Sequence, residues 1–166
     1  MSSIKVGLFG LGTVGEGIVN VISKARNADA EIKRICVKDA SKPRNVNVQK
    51  SMITDNRSDI FEDPEINLIV EVINDPEAAF EIVSEALSRG ISVVSGSKTM
   101  IARHLPELIE LQRKHNVSLL YDASSCGSIP VIRNLEEYYD NDLLLEVKGI
   151  LNGSSNFILS RVFDHN

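Results

Sequence analysis

Short apolar runs alternate with longer amphipathic segments through most of this chain. The runs are typical of buried parallel strands, and we predict strands over residues 4–9, 31–38, 67–73, 91–95 and 117–121. Apolar residues recur at helical spacing between them, which predicts helices over residues 14–24, 76–89 and 99–115. Residues 39–64 are mainly polar, and only a short turn over residues 59–65 is predicted there.

This alternation indicates the fold class. Strands that are separated by helices need crossover connections, so the pattern predicts an α/β protein with a doubly wound, mostly parallel sheet and helices on both faces. Further along the chain we expect a helix over residues 129–139 and a strand over residues 143–151. We therefore predict one domain over residues 1–130 and the incomplete beginning of a second over residues 131–166.

The composition narrows the class of protein. Of the 166 residues, 43% are apolar and 25% are charged, which excludes collagen-like, disordered and disulfide-scaffold proteins. No apolar run approaches the roughly 20 residues of a membrane span, and the first residues lack the layout of a signal peptide. With 18 basic and 23 acidic residues, the net charge of −5 offers no basic surplus to nucleic acid. We expect an acidic, cytoplasmic protein with no nucleic-acid or membrane partner.

A glycine loop, Gly10-Leu11-Gly12-Thr13-Val14-Gly15, follows the first predicted strand and opens the first helix. In such a loop the first glycine permits a tight turn, the second lets a pyrophosphate approach the backbone, and the third lets helix and strand pack closely. The helix N-terminus supplies N–H groups to the anion. A second strand follows at the expected distance, so the loop predicts a Rossmann-like dinucleotide-binding domain. The alternative is a glycine turn retained only for packing.

The choice between NAD and NADP is made at the end of the second predicted strand. Asp39 lies where an acidic side chain can hold the 2′-hydroxyl of NAD. Lys38, Lys42 and Arg44 lie at the same tip, where they can neutralise the 2′-phosphate of NADP. We favour NADP, with NAD as the alternative.

Six sequence blocks resemble homoserine dehydrogenase. They are residues 6–17, 37–44, 93–102, 121–124, 127–133 and 149–159, and the last is the most specific. The blocks occur in the order that the family has them and cover essentially the whole chain, which corresponds to the front part of the family's usual length. The resemblance implies the interconversion of L-homoserine and L-aspartate 4-semialdehyde with NAD(P), in threonine and methionine biosynthesis.

The resemblance also implies roles for individual residues. Lys98 matches the family's active-site lysine, which would relay a proton or orient the substrate oxygen. Ser97 stands where the family has an asparagine beside that lysine, and the match implies that Ser97 and Lys98 also contact the cofactor. Asn152, Gly153 and Ser154 match a turn on the substrate side of the active site. The backbone carbonyls of Asp122, Ser125, Gly127 and Ile129 correspond to a monovalent cation site, which would hold sodium.

The family's second essential lysine, its acidic substrate-binding residues and its dimerisation sheet lie downstream of the matched blocks. We therefore expect these 166 residues to bind a dinucleotide without turning over homoserine. A shortened chain, a truncated gene and association through the edge of the 143–151 strand remain open explanations, and the dimerisation sheet implies a homodimer. Two other functions also remain open, namely another amino-acid dehydrogenase, such as an aspartate dehydrogenase, and a non-catalytic dinucleotide sensor.

Overall fold

The structure is a computed structural model that describes residues 3–25, 29–44, 46–127, 129–141, 143–150 and 152–165. The chain divides into two compact units, Met1–Leu120 and Tyr121–Asn166, and each is described by itself below. The compact units divide after Leu120, whereas the predicted domains, 1–130 and 131–166, divide after residue 130. The domain boundary at residue 130 stays a prediction. No helix in the described ranges is both long and apolar enough to cross a membrane.

The first unit is built on a six-stranded sheet in which every neighbouring pair is parallel. Its strands are Ile4–Phe9 (β1), Ala30–Cys36 (β2), Ile53–Thr54 (β3), Leu68–Glu71 (β4), Ser92–Ser95 (β5) and Leu119–Leu120 (β6). Their order across the sheet is β3-β2-β1-β4-β5-β6. The doubly wound α/β fold is therefore confirmed. Only β3 was not predicted, because two residues in a polar stretch carry no periodicity.

Four helices connect these strands, and local sequence signals begin and end them. They are Thr13–Lys24 (α1), Ser58–Phe61 (α2), Pro76–Ser88 (α3) and Lys98–His115 (α4), with a 3₁₀ turn at Lys50–Met52. The Asp75 carboxylate caps α3 by accepting from Glu77 N and Ala78 N, and Pro76 occupies the first turn. Asn116 ends α4 in the left-handed conformation, which asparagine tolerates better than most residues.

The side chains of β1 alternate between the two faces of the sheet. On one face, Val6 and Leu8 pack in a buried cluster with Val19 of α1. On the other face, the Phe9 ring lies 5.5 Å from the ring of Phe61. Gly7 lies between Val6 and Leu8 in β1 and faces the same side of the sheet as Phe9. The residues packed on that side form the second layer. The second layer is packed so closely that it leaves no room for a side chain there.

The second unit is helical in its described part. Its helices are Asp122–Cys126 (α5), Val131–Tyr138 (α6) and Gly153–His165 (α7). The helix predicted over residues 129–139 is found as α6. The strand predicted over 143–151 is wrong for residues 143–150, which form no strand, and residue 151 lies outside the described residues. An apolar run forms a stable strand only beside a partner strand, and the described part of this unit offers none.

Substitution of Gly7 by alanine tests the close packing behind β1. The new Cβ would lie 2.6 Å from Ile60 Cγ2 and 3.0 Å from Ile69 Cδ1, and both isoleucines are fully buried. We expect Gly7→Ala to lower the free energy of unfolding by about 1–3 kcal/mol, the usual cost of overpacking. The measurement is a urea unfolding curve.

Gly17→Ala is the matched control, because Gly17 lies on the exposed side of α1 and a Cβ added there would have nothing within 4 Å of it. Alanine favours a helix over glycine, so this control should raise the free energy of unfolding by about 0.5–1 kcal/mol. Equal stabilities for the two variants would contradict the packing described here.

Candidate functional site

The candidate site lies at the carboxyl edge of the sheet between β1 and β4. These strands are neighbours, yet the chain leaves them in opposite directions across the sheet, toward β2 and toward β5. Ligands of open α/β sheets bind in the crevice that opens at this reversal. The glycine loop after β1 and the start of α4 after β5 both lie at this edge, because all six strands run the same way.

The glycine loop has the local geometry that its spacing predicts. Gly10 has a φ of +101°, and a Cβ there would lie 2.9 Å from the carbonyl oxygen of Val72. A Cβ at Gly15 would overlap the carbonyl oxygen of Gly10, so helix and strand pack backbone against backbone. Nothing lies within 4 Å of the position of a Cβ at Gly12, which leaves open space beside the loop.

The N-terminus of α1 faces that open space without a side-chain cap. Gly12 is the N-cap residue, and its carbonyl accepts the first helical bond, from Glu16 N, at 2.8 Å. The amides at the first positions of a helix have no partner within the helix. Leu11 is buried beneath the loop, while Thr13 and Val14 are exposed at its surface. The arrangement can therefore hold an anion by backbone N–H groups and the helix dipole.

Arg44 connects the glycine loop to the segment that follows β2. Its Nη1 donates to Leu11 O at 2.9 Å, and its Nη2 donates to Asp39 O at 2.8 Å. The sequence predicted Arg44 only as a charge near the cofactor. The hydrogen bond to Leu11 joins residues 33 apart in the chain, and no local pattern reveals it. The guanidinium thus lies between the two segments predicted to hold the dinucleotide.

The Asp39 carboxylate is held within its own turn. Its Oδ1 accepts from Ser41 Oγ at 2.6 Å and from Ser41 N at 2.8 Å. These bonds, that from the hydroxyl first, lower the pKa of Asp39 below the ordinary value for an aspartate. Lys38 and Lys42 are exposed at the same tip. The tip therefore presents two lysines and one carboxylate that is already hydrogen-bonded.

Lys98 is the first residue of α4 and is exposed at the carboxyl edge of the sheet. Ser97 precedes it as the N-cap residue, and its side chain is buried. The backbone N–H of Ser97 donates to Ser95 Oγ at 3.1 Å. The position of Lys98 is therefore set by the hydrogen bonding of the β5 exit.

A buried carboxylate at this edge was not predicted from the sequence. Glu71, the last residue of β4, is fully buried. Its Oε2 accepts from Ser95 Oγ at 2.6 Å, and its Oε1 accepts from Ile73 N at 2.7 Å. Burial raises the pKa of Glu71, although both hydrogen bonds oppose that effect. The available signal was one acidic residue within the apolar run at residues 68–73.

The remaining predicted residues belong to the second unit. Asp122 Oδ1 accepts from Ile132 N at 3.1 Å and from Arg133 N at 3.4 Å, so this side chain holds the start of α6. The carbonyl of Ile129 accepts from Val131 N at 2.9 Å. Ser125 lies within α5, and Gly127 follows it with a φ of +62°. In the ranges described, no three His, Cys, Asp or Glu residues are grouped so as to hold a metal ion.

The segment at Asn152 is the start of a helix, where the family resemblance implied a turn. Asn152 Oδ1 accepts from Ser155 N at 2.9 Å, and Asn152 O accepts from Asn156 N at 2.9 Å. These bonds begin α7, whose first residues are Gly153 and Ser154. An asparagine followed by small residues favours a helix N-cap as much as a turn, because both use the same side-chain acceptor.

The strand order and the glycine loop together define a Rossmann-type dinucleotide-binding domain. Family models give the more particular assignment. "Homoserine dehydrogenase, NAD binding domain" matches residues 10–122, and "Homoserine dehydrogenase" matches residues 130–166. The chain belongs to the homoserine dehydrogenase family, which confirms the resemblance found in its sequence.

Individual relatives agree with this assignment. The homoserine dehydrogenase of Bacillus subtilis is 34% identical over 98% of this chain and 39% of its own length. That of Synechocystis is 34% identical over 96% of this chain and 38% of its own length. The crystal structure of a homoserine dehydrogenase from Thiobacillus denitrificans superposes with a TM-score of 0.80 at 33% identity, over 98% of this chain and 39% of that one.

A hyperthermophilic archaeal homoserine dehydrogenase in complex with NADPH has a TM-score of 0.63 at 26% identity, over 80% of this chain and 47% of that one. This chain thus spans less than half the length of these relatives.

The raised pKa of Glu71 predicts a pH dependence of stability. The folded state holds the Glu71 proton more tightly than the unfolded state does. The stability that this group contributes is present below its unfolded pKa and is lost as pH rises through its folded pKa. Glutamine does not titrate, so wild type should lose stability relative to Glu71→Gln between about pH 4 and about pH 8. Urea unfolding at both pH values measures the difference.

Glu110→Gln, at an exposed position of α4, controls for the general effect of removing a carboxylate. Its difference from wild type should change far less with pH. Parallel pH curves for wild type and Glu71→Gln would contradict the raised pKa.

Proposed function

We propose that this chain supplies the NAD(P)-binding part of a homoserine dehydrogenase that interconverts L-homoserine and L-aspartate 4-semialdehyde, in threonine and methionine biosynthesis. The observation that carries the proposal is the uncapped N-terminus of α1 beside open space at Gly12, at the reversal of strand order. Family membership supplies the substrate class.

When bound, NAD(P) would supply the hydride acceptor for oxidation at the carbinol carbon of homoserine, and the hydroxyl proton of homoserine would have to leave at the same time. Lys98 is the candidate group for that proton or for orienting the oxygen. Its exposure at the carboxyl edge and its place at the start of α4 support this role. The glycine loop would bind the pyrophosphate through Leu11, Thr13 and Val14 backbone groups, and Ser97 would line the nicotinamide end.

NADP is the cofactor that the β2 exit fits better. A 2′-phosphate carries negative charge and would lie at the β2 exit. The exposed Lys38 and Lys42 follow that exit, and Arg44 is hydrogen-bonded to Asp39 there, so all three supply positive charge to this segment. The Asp39 carboxylate is occupied by Ser41 and is thereby less available to a ribose hydroxyl. The NADPH complex of the archaeal family member supports the same choice.

The resemblance to the family supports a substrate-side role for Asn152, Gly153 and Ser154. Carbonyl oxygens at Asp122, Ser125, Gly127 and Ile129 have the donor chemistry for sodium, although the Ile129 carbonyl already accepts one hydrogen bond. No step of the proposed mechanism depends on that ion. The homodimer and the cytoplasmic location also remain proposals, drawn from the family and from composition.

The two alternative functions are an aspartate dehydrogenase and a dinucleotide sensor. The family match bears on the first, and an activity measurement distinguishes the second. The family match over residues 130–166 favours homoserine dehydrogenase over an aspartate dehydrogenase. The serine at position 97, where the family has asparagine, is the feature that favours a dinucleotide sensor. A sensor would bind NADPH without ever supporting homoserine oxidation, even when the family's downstream segment is supplied.

Gly12→Ala tests the pyrophosphate site. The added methyl group meets nothing within 4 Å in the protein, so we expect the melting temperature to stay close to that of wild type. It would occupy the space needed by the pyrophosphate, and loss of charge-assisted hydrogen bonds should weaken NADPH binding about tenfold or more. The measurement is a titration followed by NADPH fluorescence.

Gly17→Ala, within α1, should leave NADPH affinity unchanged. If Gly12→Ala bound NADPH as tightly as wild type does, the pyrophosphate would not lie at this loop.

The double variant Lys38→Ala/Lys42→Ala tests the choice of cofactor. Loss of two positive charges should weaken NADPH binding about tenfold and change NADH binding less than about twofold. The matched control is Lys24→Ala/Lys114→Ala, since these exposed lysines lie near the C-terminal ends of α1 and α4, at the opposite edge of the sheet. A double variant that weakened both cofactors equally would refute the preference for NADP.

A further inference from the structure

Glu71 is a buried ionisable group that the proposed reaction does not use. It lies on the face of the sheet opposite α1, in the row of residues at the carboxyl edge. Parallel pairing places Phe9 beside Glu71 and Glu71 beside Ser95. A buried carboxylate is costly unless hydrogen bonds compensate for its lost hydration, and here two donors do so.

The hydrogen bonds around Glu71 run in a fixed direction. Ser97 N–H donates to Ser95 Oγ, and the Ser95 hydroxyl in turn donates to Glu71 Oε2. Ile73 N–H donates to Glu71 Oε1. A carboxylate accepts at both oxygens, which is what these two donors require. A carboxamide has one acceptor and one donor group, so it cannot satisfy both donors in the same geometry.

The segments held by Glu71 border two parts of the candidate site. Ile73 adjoins the glycine loop, because a Cβ at Gly10 would lie 3.1 Å from Ile73 Cγ2. Ser97 immediately precedes Lys98 at the start of α4. One buried side chain therefore fixes the backbone on both sides of the crevice between the glycine loop and Lys98.

The topology indicates which half of the dinucleotide lies over these segments. The adenosine ribose of a dinucleotide bound here would lie at the end of β2, near Asp39. β2 lies on one side of β1, while β4 and β5 lie on the other. With the pyrophosphate at the glycine loop, the nicotinamide half extends over the ends of β4 and β5.

We infer that Glu71 is a positioning residue for the nicotinamide end of the site, acting through Ser95 and the backbone of Ser97 and Ile73. It does not touch the substrate; it holds the segments that would receive the nicotinamide and present Lys98. This inference rests on the proposed function, since it assumes that a dinucleotide binds at the glycine loop.

The test compares NADPH with 2′-phospho-ADP-ribose, which retains the adenosine and pyrophosphate but lacks the nicotinamide. We expect Glu71→Gln and Ser95→Ala each to weaken NADPH binding about tenfold while changing the affinity for 2′-phospho-ADP-ribose less than about twofold. The emission of bound NADPH, which reports the surroundings of the nicotinamide, should also change. Ser95→Ala breaks the link to Ser97 and keeps the bond to Ile73, so it carries the test if Glu71→Gln does not fold.

Ile69→Val is the control for a purely structural effect. Ile69 is fully buried in β4, on the same face as Glu71, and takes no part in the hydrogen bonds. It should lower stability and leave both affinities unchanged. Equal weakening of both ligands by Glu71→Gln and Ser95→Ala, or no weakening, would overturn the inference. A wild-type chain that bound neither ligand would overturn the proposed function itself, and the inference with it.

Discussion

At the end of β1 the backbone of α1 lies against the carbonyl oxygen of Gly10, and the absence of a side chain at Gly15 allows this contact. On its other side Gly10 lies against the backbone of Val72, beyond the end of β4. The loop is thus confined between a helix and a strand. Because of this confinement, the first amides of α1 face the open space at Gly12 in a fixed direction. A looser loop would let the helix move away from the sheet and leave those amides to water.

The parallel pairing of β1, β4 and β5 also fixes which residues are neighbours at the carboxyl edge of the sheet. Since all strands end at one edge, residues far apart in sequence lie in one row there. Glu71 and Ser95 are neighbours in that row, and their hydrogen bond connects the exits of β4 and β5. One partner of this carboxylate, Ser95, comes from the neighbouring strand, and the other, Ile73 N, lies two residues further along its own segment. The pairing of β4 with β5 and the chain just beyond β4 together make the buried carboxylate tolerable.

Local patterns allowed most of the first unit to be predicted. The glycine spacing predicted the loop, since the positive φ of Gly10 and the close contact of Gly15 with Gly10 O involve only residues that are near in the sequence. The apolar runs likewise predicted five of the strands. The sequence could not indicate β3, whose two residues depend on pairing with the end of β2. It also could not indicate the hydrogen bond from Arg44 to Leu11 or that from Ser95 to Glu71, because each joins residues that are far apart in the sequence.

In the second unit a strand was predicted that the structure does not contain over the described residues. Residues 143–151 are mainly apolar, and this run predicted a strand that is not present over 143–150. Strand formation depends on a neighbour as well as on the sequence of the strand. Asn152 was predicted to be part of a turn, yet its side chain caps a helix. An asparagine side-chain oxygen accepts a backbone hydrogen bond in the same way in a turn and at a helix N-cap. The residues that follow the asparagine determine which of the two forms.

Arg44 donates its two Nη groups to carbonyl oxygens on either side of it, at Leu11 and at Asp39. It therefore acts as a cross-link as well as a charge. Replacing Arg44 to change the preference between NAD and NADP would also remove its hydrogen bond to the glycine loop. That loop is proposed to bind the pyrophosphate, which both dinucleotides have. Selectivity and overall affinity are coupled at this residue. A redesign that aims to alter selectivity alone must begin with the flanking lysines and leave the arginine in place.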